Sequence, residues 1–102
     1  MKDDTAEPVI EPVWLVEATY APDGADTRVP FRAEHIAHAA AMIDAGTYIE
    51  VGAYADVSAS LITVRADSAE EALRIVGEDV YLRNGIWVEL RARPFGRVTR
   101  SG

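Results

Sequence analysis

From Val13 to Tyr20 the chain reads VWLVEATY, with Trp14, Val16, Ala18 and Tyr20 alternating against Val13, Leu15, Glu17 and Thr19. A two-residue period among β-branched and aromatic side chains predicts a strand with two unlike faces. APDGADTRVP follows as a loop, with Pro22-Asp23-Gly24 as its turn signal. In FRAEHIAHAAAMIDAG the period lengthens. Ile36, Ala39, Ala40 and Ile43 recur at i, i+3, i+4 and i+7, and Gly46 supplies a stop, so a helix is expected. TYIEVGAYAD and SASLITVRA return to alternation and predict two strands, joined by a tight turn near Asp56 to Ser58. DSAEEALRIVG reads as a second helix: Ser68 with Glu71 three residues on makes a capping box. Ala69, Ala72, Leu73 and Val76 form its apolar stripe, and Gly77 closes it. GIWVELRARPF is the last strand, with Pro94 expected to stop it.

The order β-α-β-β-α-β predicts an α+β, ferredoxin-like fold: an antiparallel sheet with both helices on one face. Ile49, Val51, Ala53, Ile62, Val64, Ile86, Val88 and Leu90 are expected to lie beneath the helices. The opposite face is assembled from Tyr48, Glu50, Tyr54, Leu61, Thr63, Arg65, Trp87, Glu89, Arg91 and Arg93. Aromatics mixed with charges of both signs suit a face covered by another subunit. They also suit a solvated face with charges paired across strands.

A length of 102 residues allows one domain and one core. Residues 1–11 are acidic and contain Pro8, and are expected to be a flexible leader. The domain is then residues 12–96, followed by a short tail, 97–102. No apolar stretch matches a signal peptide or a membrane span, so a cytoplasmic protein without a membrane partner is expected. The net charge is −7 and the ten basic residues are not gathered into a run, which argues against a nucleic-acid partner. Cysteine is absent, and with it disulfides, thiolate nucleophiles and Cys-ligated metals. Gly-rich nucleotide-binding and G-x-S-x-G patterns do not occur.

Only His35 and His38 ordinarily exchange protons near neutral pH. His35 borders the apolar stripe of the first helix, where it either looks into a crevice or is satisfied by a backbone carbonyl. Asp79 lies in the loop leaving the second helix, and this topology lets that loop reach the flank of the first. A carboxylate bound to Nδ1 of His35 would fix its tautomer and leave Nε2 as a general base. Alternatively, Asp79 bonds its own backbone in a turn. His35 and His38 without a third ligand are a weak metal signal, so no metal is expected. Ser58 and Ser60 read as turn and edge residues.

RAEH on the first helix, Gly52 near the end of the second strand, SAEEALRIVGED and DVYLRNGI together resemble the YCII-related family of small α+β proteins. The resemblance spans about residues 13–95. Arg32 and His35 match its R-x-x-H, and Ser68, Glu70, Glu71 and Ala72 its capped helix. Asp79, Tyr81, Gly85 and Ile86 match the segment after it. Ala53 and Val80 stand where the family usually has Pro, which makes the Asp79 loop less restricted. The resemblance implies a homodimeric α+β barrel with two sheets facing each other, and a cleft holding His35 and Asp79 as a catalytic pair. Candidate substrate contacts are Arg32 for an anionic group, Tyr81 over a ring, and Tyr54. It further implies cofactor-free, lyase-like or isomerase-like proton transfer on a small, cyclic or aromatic molecule. The alternative is a non-catalytic ligand-binding or accessory dimer of the same fold.

Overall fold

The computed structural model describes residues 7–100. Strands β1 (Pro8–Tyr20), β2 (Tyr48–Ala53), β3 (Ala59–Val64) and β4 (Trp87–Arg100) form one antiparallel sheet in the order β2-β3-β1-β4. Between β1 and β2 come a short helix α1 (Gly24–Thr27), a 3-10 turn (Val29–Phe31) and the long helix α2 (Arg32–Asp44). Between β3 and β4 come α3 (Ala69–Val76) and a single turn, α4 (Val80–Arg83). The ferredoxin-like α+β fold expected from the element order is present, with the extra turns inserted into its connections.

Local chemistry explains the helix ends. The Ser68 hydroxyl accepts from Glu71 N at 3.0 Å, and the Glu71 carboxylate reaches back to Asp67 N at 2.6 Å, so the expected box closes one residue further out. At the end of α2, Gly46 has φ 81°. Gly46 N donates to Ile43 O and Thr47 N to Met42 O, the paired bonds of a Schellman stop. In the β2–β3 turn, Asp56 accepts from Ser58 N at 3.0 Å.

The core lies between the helices and one sheet face: Val16, Ala18 and Tyr20 of β1, Ile62 and Val64 of β3, and Ala72 and Val76 of α3. Two bulges change which other residues reach it. In the β2–β3 ladder Tyr48 pairs with Val64 but Glu50 with Thr63, so Ile49 is an extra residue. In the β1–β4 ladder Thr19 pairs with Glu89 but Tyr20 with Trp87, so Val88 is extra. One inserted residue inverts a two-residue alternation. Tyr48 and Trp87, expected on the open face, are therefore buried in the core, and Val88, expected beneath the helices, is 58% exposed. The α2 stripe also differs from expectation. His35 and Ala39 are the buried pair and Met42 packs on the core, whereas Ile36 and Ile43 stay exposed. The helix is rotated so that its more polar edge faces the sheet.

The strands at the chain ends run longer than their prolines suggested. The first begins at Pro8, inside the stretch expected to be a leader, and β4 passes through Pro94 into the stretch expected to be a tail. Pro94 is tolerated because β4 is an edge strand with β1 as its single neighbour. Pro8 and Pro12 lie before Trp14, where pairing with β3 begins, so β1 has a free side there too. The remainder of the expected leader and tail, residues 1–6 and 101–102, lies outside the described residues. Residues 8–13 and 95–100 thus form a two-stranded ribbon that projects beyond β3 in a molecule of 53 × 24 × 24 Å. Glu11 anchors it, binding Arg65 at 2.6 Å and Arg97 at 3.2 Å. The Arg65 hydrogen bond, opposed by desolvation and helped by Arg97, holds the Glu11 carboxyl below its ordinary range. Ile10 and Val98, directly paired in the ladder, are 68% and 69% exposed.

Candidate active site

After α3 ends at Gly77, Asp79 takes φ −68° and ψ 141° and caps α4, its Oδ1 accepting from Tyr81 N at 2.8 Å. That bond fixes the carboxylate locally, before any tertiary contact. The absent proline at position 80 costs the loop little, because the cap already holds Asp79 in place. The same carboxylate meets the first turn of α2: His35 Nδ1 lies 2.9 Å from Oδ2 and 3.0 Å from Oδ1. As a carboxylate, Asp79 only accepts, so the Nδ1 of His35 carries the hydrogen and the neutral ring keeps its lone pair on Nε2. Both residues are buried, His35 7% and Asp79 1% exposed.

Aromatic rings hold the imidazole plane. Tyr81, two residues beyond Asp79, stacks on His35 with 3.8 Å between centroids and 8° between planes. Trp87 presents its edge to both, at 5.4 Å from His35 and 5.6 Å from Tyr81. Trp87 reaches this position because the bulge at Val88 turns it inward. A second tyrosine, Tyr20, stands edge-on to Tyr81 at 6.1 Å.

His35 faces a cavity of about 380 Å³, whose polar lining is Arg28, Arg32, Tyr20, Ser60 and Tyr81. Ile36, Ala39, Ala40 and Ile43 of α2 and Val51, Gly52 and Ala53 of β2 supply its apolar walls. The Ser60 hydroxyl donates to the Tyr20 hydroxyl at 3.2 Å. The Tyr81 hydroxyl is buried without a partner. Burial, then the Tyr20 hydroxyl, raises the pKa of Tyr81, while the nearby guanidinium groups of Arg28 and Arg32 pull it the other way. Among the described residues, neither Arg28 nor Arg32 has an ion-pair or hydrogen-bond partner for its side chain.

Of the five residues singled out in the sequence, His35, Asp79, Arg32 and Tyr81 come together here. Tyr54 does not. It is half-exposed and lines a larger, shallower groove of about 850 Å³ with Leu15, Leu61 and Thr63, which meets the His35 cavity at Ile43 and Val51 to Ala53. The titratable residues of that groove, Glu50 and Tyr54, are not hydrogen-bonded to each other, so its size does not make it the better site. Ser60, read as an edge residue, is buried in a central strand. Arg28 lies in the segment expected to be a loop, yet Arg28, Arg32 and His35 follow an i, i+4, i+7 spacing that one helical face would share. His38 is half-buried with its ring edge-on to Tyr48 at 6.3 Å, and does not line the cavity. Burial, followed by the charges of Asp79 and Glu78, raises the pKa of Tyr48 above the ordinary tyrosine range. Among the described residues no cluster of three or more His, Cys, Asp or Glu is placed to hold a metal ion. No described helix is long and apolar enough to cross a membrane.

A family model for the YCII-related domain matches residues 13–96. No curated protein sequence matches the chain. Among solved structures, the chain is similar to 5-chloro-2-hydroxyhydroquinone dehydrochlorinase from Burkholderia phenoliruptrix AC1100, determined with 2,5-dihydroxybenzoquinone bound. The TM-score is 0.67 at 17% identity, over 79% of this chain and 90% of that one.

Proposed function

The chain belongs to the YCII-related domain family, and from that premise we propose that it is a small enzyme using His35 as a general base and Asp79 to orient it. The observation that carries this reading is Nδ1 of His35 held by both oxygens of a buried carboxylate, with the same ring lining a cavity. Such a pair leaves Nε2 as the proton acceptor and stabilises the imidazolium that forms. The dehydrochlorinase whose fold is similar acts on a small hydroxylated ring, which supports a substrate of comparable size.

In the proposed reaction, Nε2 takes a proton from a C–H or O–H of the bound molecule. The electron pair left behind forms a double bond. In an elimination, a leaving group departs from the neighbouring carbon with its own pair, and Nε2 later gives its proton to that group or to water. In an isomerisation, the proton returns to a different carbon of the same molecule. Positioned proton transfer of this kind contributes roughly 10²–10⁴-fold to rate. Neither route needs a covalent nucleophile or a redox step.

We infer in addition that two copies pair through their open sheet faces. The exposed Phe95, which shares the open-face groove with Leu15 and Leu61, and the exposed Val9 of the ribbon support this, since a two-stranded ribbon in water is marginally stable alone.

The enzyme reading is tested by incubating the protein in D2O with 5-chloro-2-hydroxyhydroquinone and a panel of small cyclic enols and lactones. Chloride release and deuterium incorporation are the readouts. Turnover of at least one compound, lost in His35→Ala, is the expected result. Turnover that survives His35→Ala would remove His35 from the mechanism.

A further inference from the structure

Two cations, unpaired among the described residues, lie beside His35. The protein carries 17 acidic and 10 basic side chains, so a guanidinium has many potential partners. Arg65, Arg74, Arg83, Arg91 and Arg97 all have one, while among the described residues the exposed Arg93 of β4 does not. Arg28 and Arg32, which share the His35 cavity, have none among the described residues. Both lie close enough to the Tyr81 hydroxyl to influence its ionisation. That hydroxyl is itself buried and unpartnered, at 1% exposure of its residue. A buried donor without a partner is costly, and a native structure retains one where something else completes it.

We propose that this corner of the cavity binds an oxyanion carried on a single-ring molecule, with Arg28 and Arg32 neutralising the charge and the Tyr81 hydroxyl donating to one of its oxygens. A cavity lined by Arg28, Arg32 and Tyr81 together with Ile36, Ala39 and Ile43 suits a molecule with one charged edge and one greasy edge. The volume of about 380 Å³ is near the lower limit of about 300–1,000 Å³ for ligand sites, which fits one ring. Tyr81 stacks on His35, so an oxyanion seated at its hydroxyl places the ring it belongs to beside the imidazole. The chemical consequence rests on the base assigned to His35. An enolate or phenolate formed by proton loss would develop its charge in a cavity lined by two guanidinium groups. The binding itself does not need that base.

The probe is benzoate, compared with the neutral isostere benzamide, in calorimetry and in the side-chain ¹H–¹⁵N spectrum of His35. Benzoate is expected to bind and to move the His35 ring resonances, with benzamide at least about tenfold weaker. Arg28→Gln and Arg32→Gln each weaken benzoate about tenfold and the double variant about a hundredfold, a factor of ten being 1.4 kcal/mol. Tyr81→Phe weakens it by a smaller factor. Both arginines reach solvent, so the Gln variants retain the fold, which their circular dichroism confirms. Equal affinity for benzamide, undiminished benzoate binding in the double variant, or no benzoate binding up to about 10 mM would each overturn the assignment. His35→Gln separates the two readings. Benzoate binding that persists in this variant supports the oxyanion site whatever the fate of turnover. Binding that vanishes with His35 alone, while the Arg variants bind normally, assigns the charge recognition to the imidazole and sinks it.

Discussion

Both carboxylate oxygens of Asp79 lie within 3.0 Å of Nδ1 of His35, across 44 residues of chain. One of them also receives the backbone N–H of Tyr81, whose ring then stacks on the imidazole. The carboxylate therefore has a local task, starting α4, and a tertiary one, setting the tautomer of His35. Substitutions can separate the two.

Asp79→Asn keeps an amide oxygen able to accept from Tyr81 N, so the fold should survive. An amide NH₂ facing Nδ1 forces the ring proton to Nε2 and removes the base. Turnover should fall by about 10²–10⁴-fold, as seen when the same exchange puts an imidazole in the wrong tautomer. Asp79→Ala loses the cap as well, at about 1 kcal/mol. It also strands a buried imidazole N–H, at about 1–3 kcal/mol more. Urea denaturation of the two variants reads the difference.

Val80→Pro should be tolerated. Val80 opens α4, the position where proline's missing N–H is not needed. Asp79 already has φ −68° and ψ 141°, the conformation demanded of a residue before proline. Thermal denaturation should show stability unchanged or raised by up to about 1 kcal/mol, with less freedom in the unfolded chain as the cause. A loss of about 2 kcal/mol or more would show that the packing of the Val80 side chain outweighs the backbone effect.

Tyr48→Phe should affect alkaline stability. Burial and the charges of Asp79 and Glu78 raise the Tyr48 pKa above its ordinary 10.0, so the folded state keeps the phenol proton after the unfolded chain has lost it. The stabilisation is thus fully present below pH 10.0 and is lost as the pH climbs beyond it. The Phe variant lacks this slope. Because the Tyr48 hydroxyl is buried without a partner, its removal should also raise stability near neutral pH, by about 1 kcal/mol. Guanidinium melts of both proteins between pH 7 and 11 compare the slopes. Parallel curves would show that Tyr48 ionises as easily folded as unfolded.

Val9→Lys and Phe95→Lys test the pairing of two copies. Each places a charge on an open-face ribbon residue now about two-fifths exposed. Sedimentation velocity should show a dimer for the parent protein and a shift to monomer for either variant, with helical circular dichroism unchanged. A parent protein that sediments as a monomer at about 100 µM would end the dimer proposal.

The features legible in the sequence were those whose physical cause is local. Alternation from Trp14 to Tyr20 requires only that successive side chains of a strand point to opposite faces. The Ser68–Glu71 cap and the Gly46 stop depend on a few neighbouring backbone groups, and the element order follows from them. Where tertiary structure intervened, these patterns misled. Ile49 and Val88 are each inserted against a partner strand, and nothing in the strand's own residues marks the extra one. Tyr48 and Trp87 change face as a result. Pro94 announces a missing N–H, but whether that matters depends on a neighbour being present on that side, and β4 has none there.

The cavity follows the same division. Local signals along the chain place His35 on a helix and Asp79 after a helix end, both of a type able to move or orient a proton. They also set the spacing of Arg28, Arg32 and His35. Long-range packing brings the imidazole to the carboxylate, leaves two guanidinium groups unpaired around the same space among the described residues, and puts Tyr54 outside it. The difference is one of range: capping and periodicity act over three or four residues, whereas these contacts depend on how α2 is rotated against the sheet and how far the bulges displace each ladder.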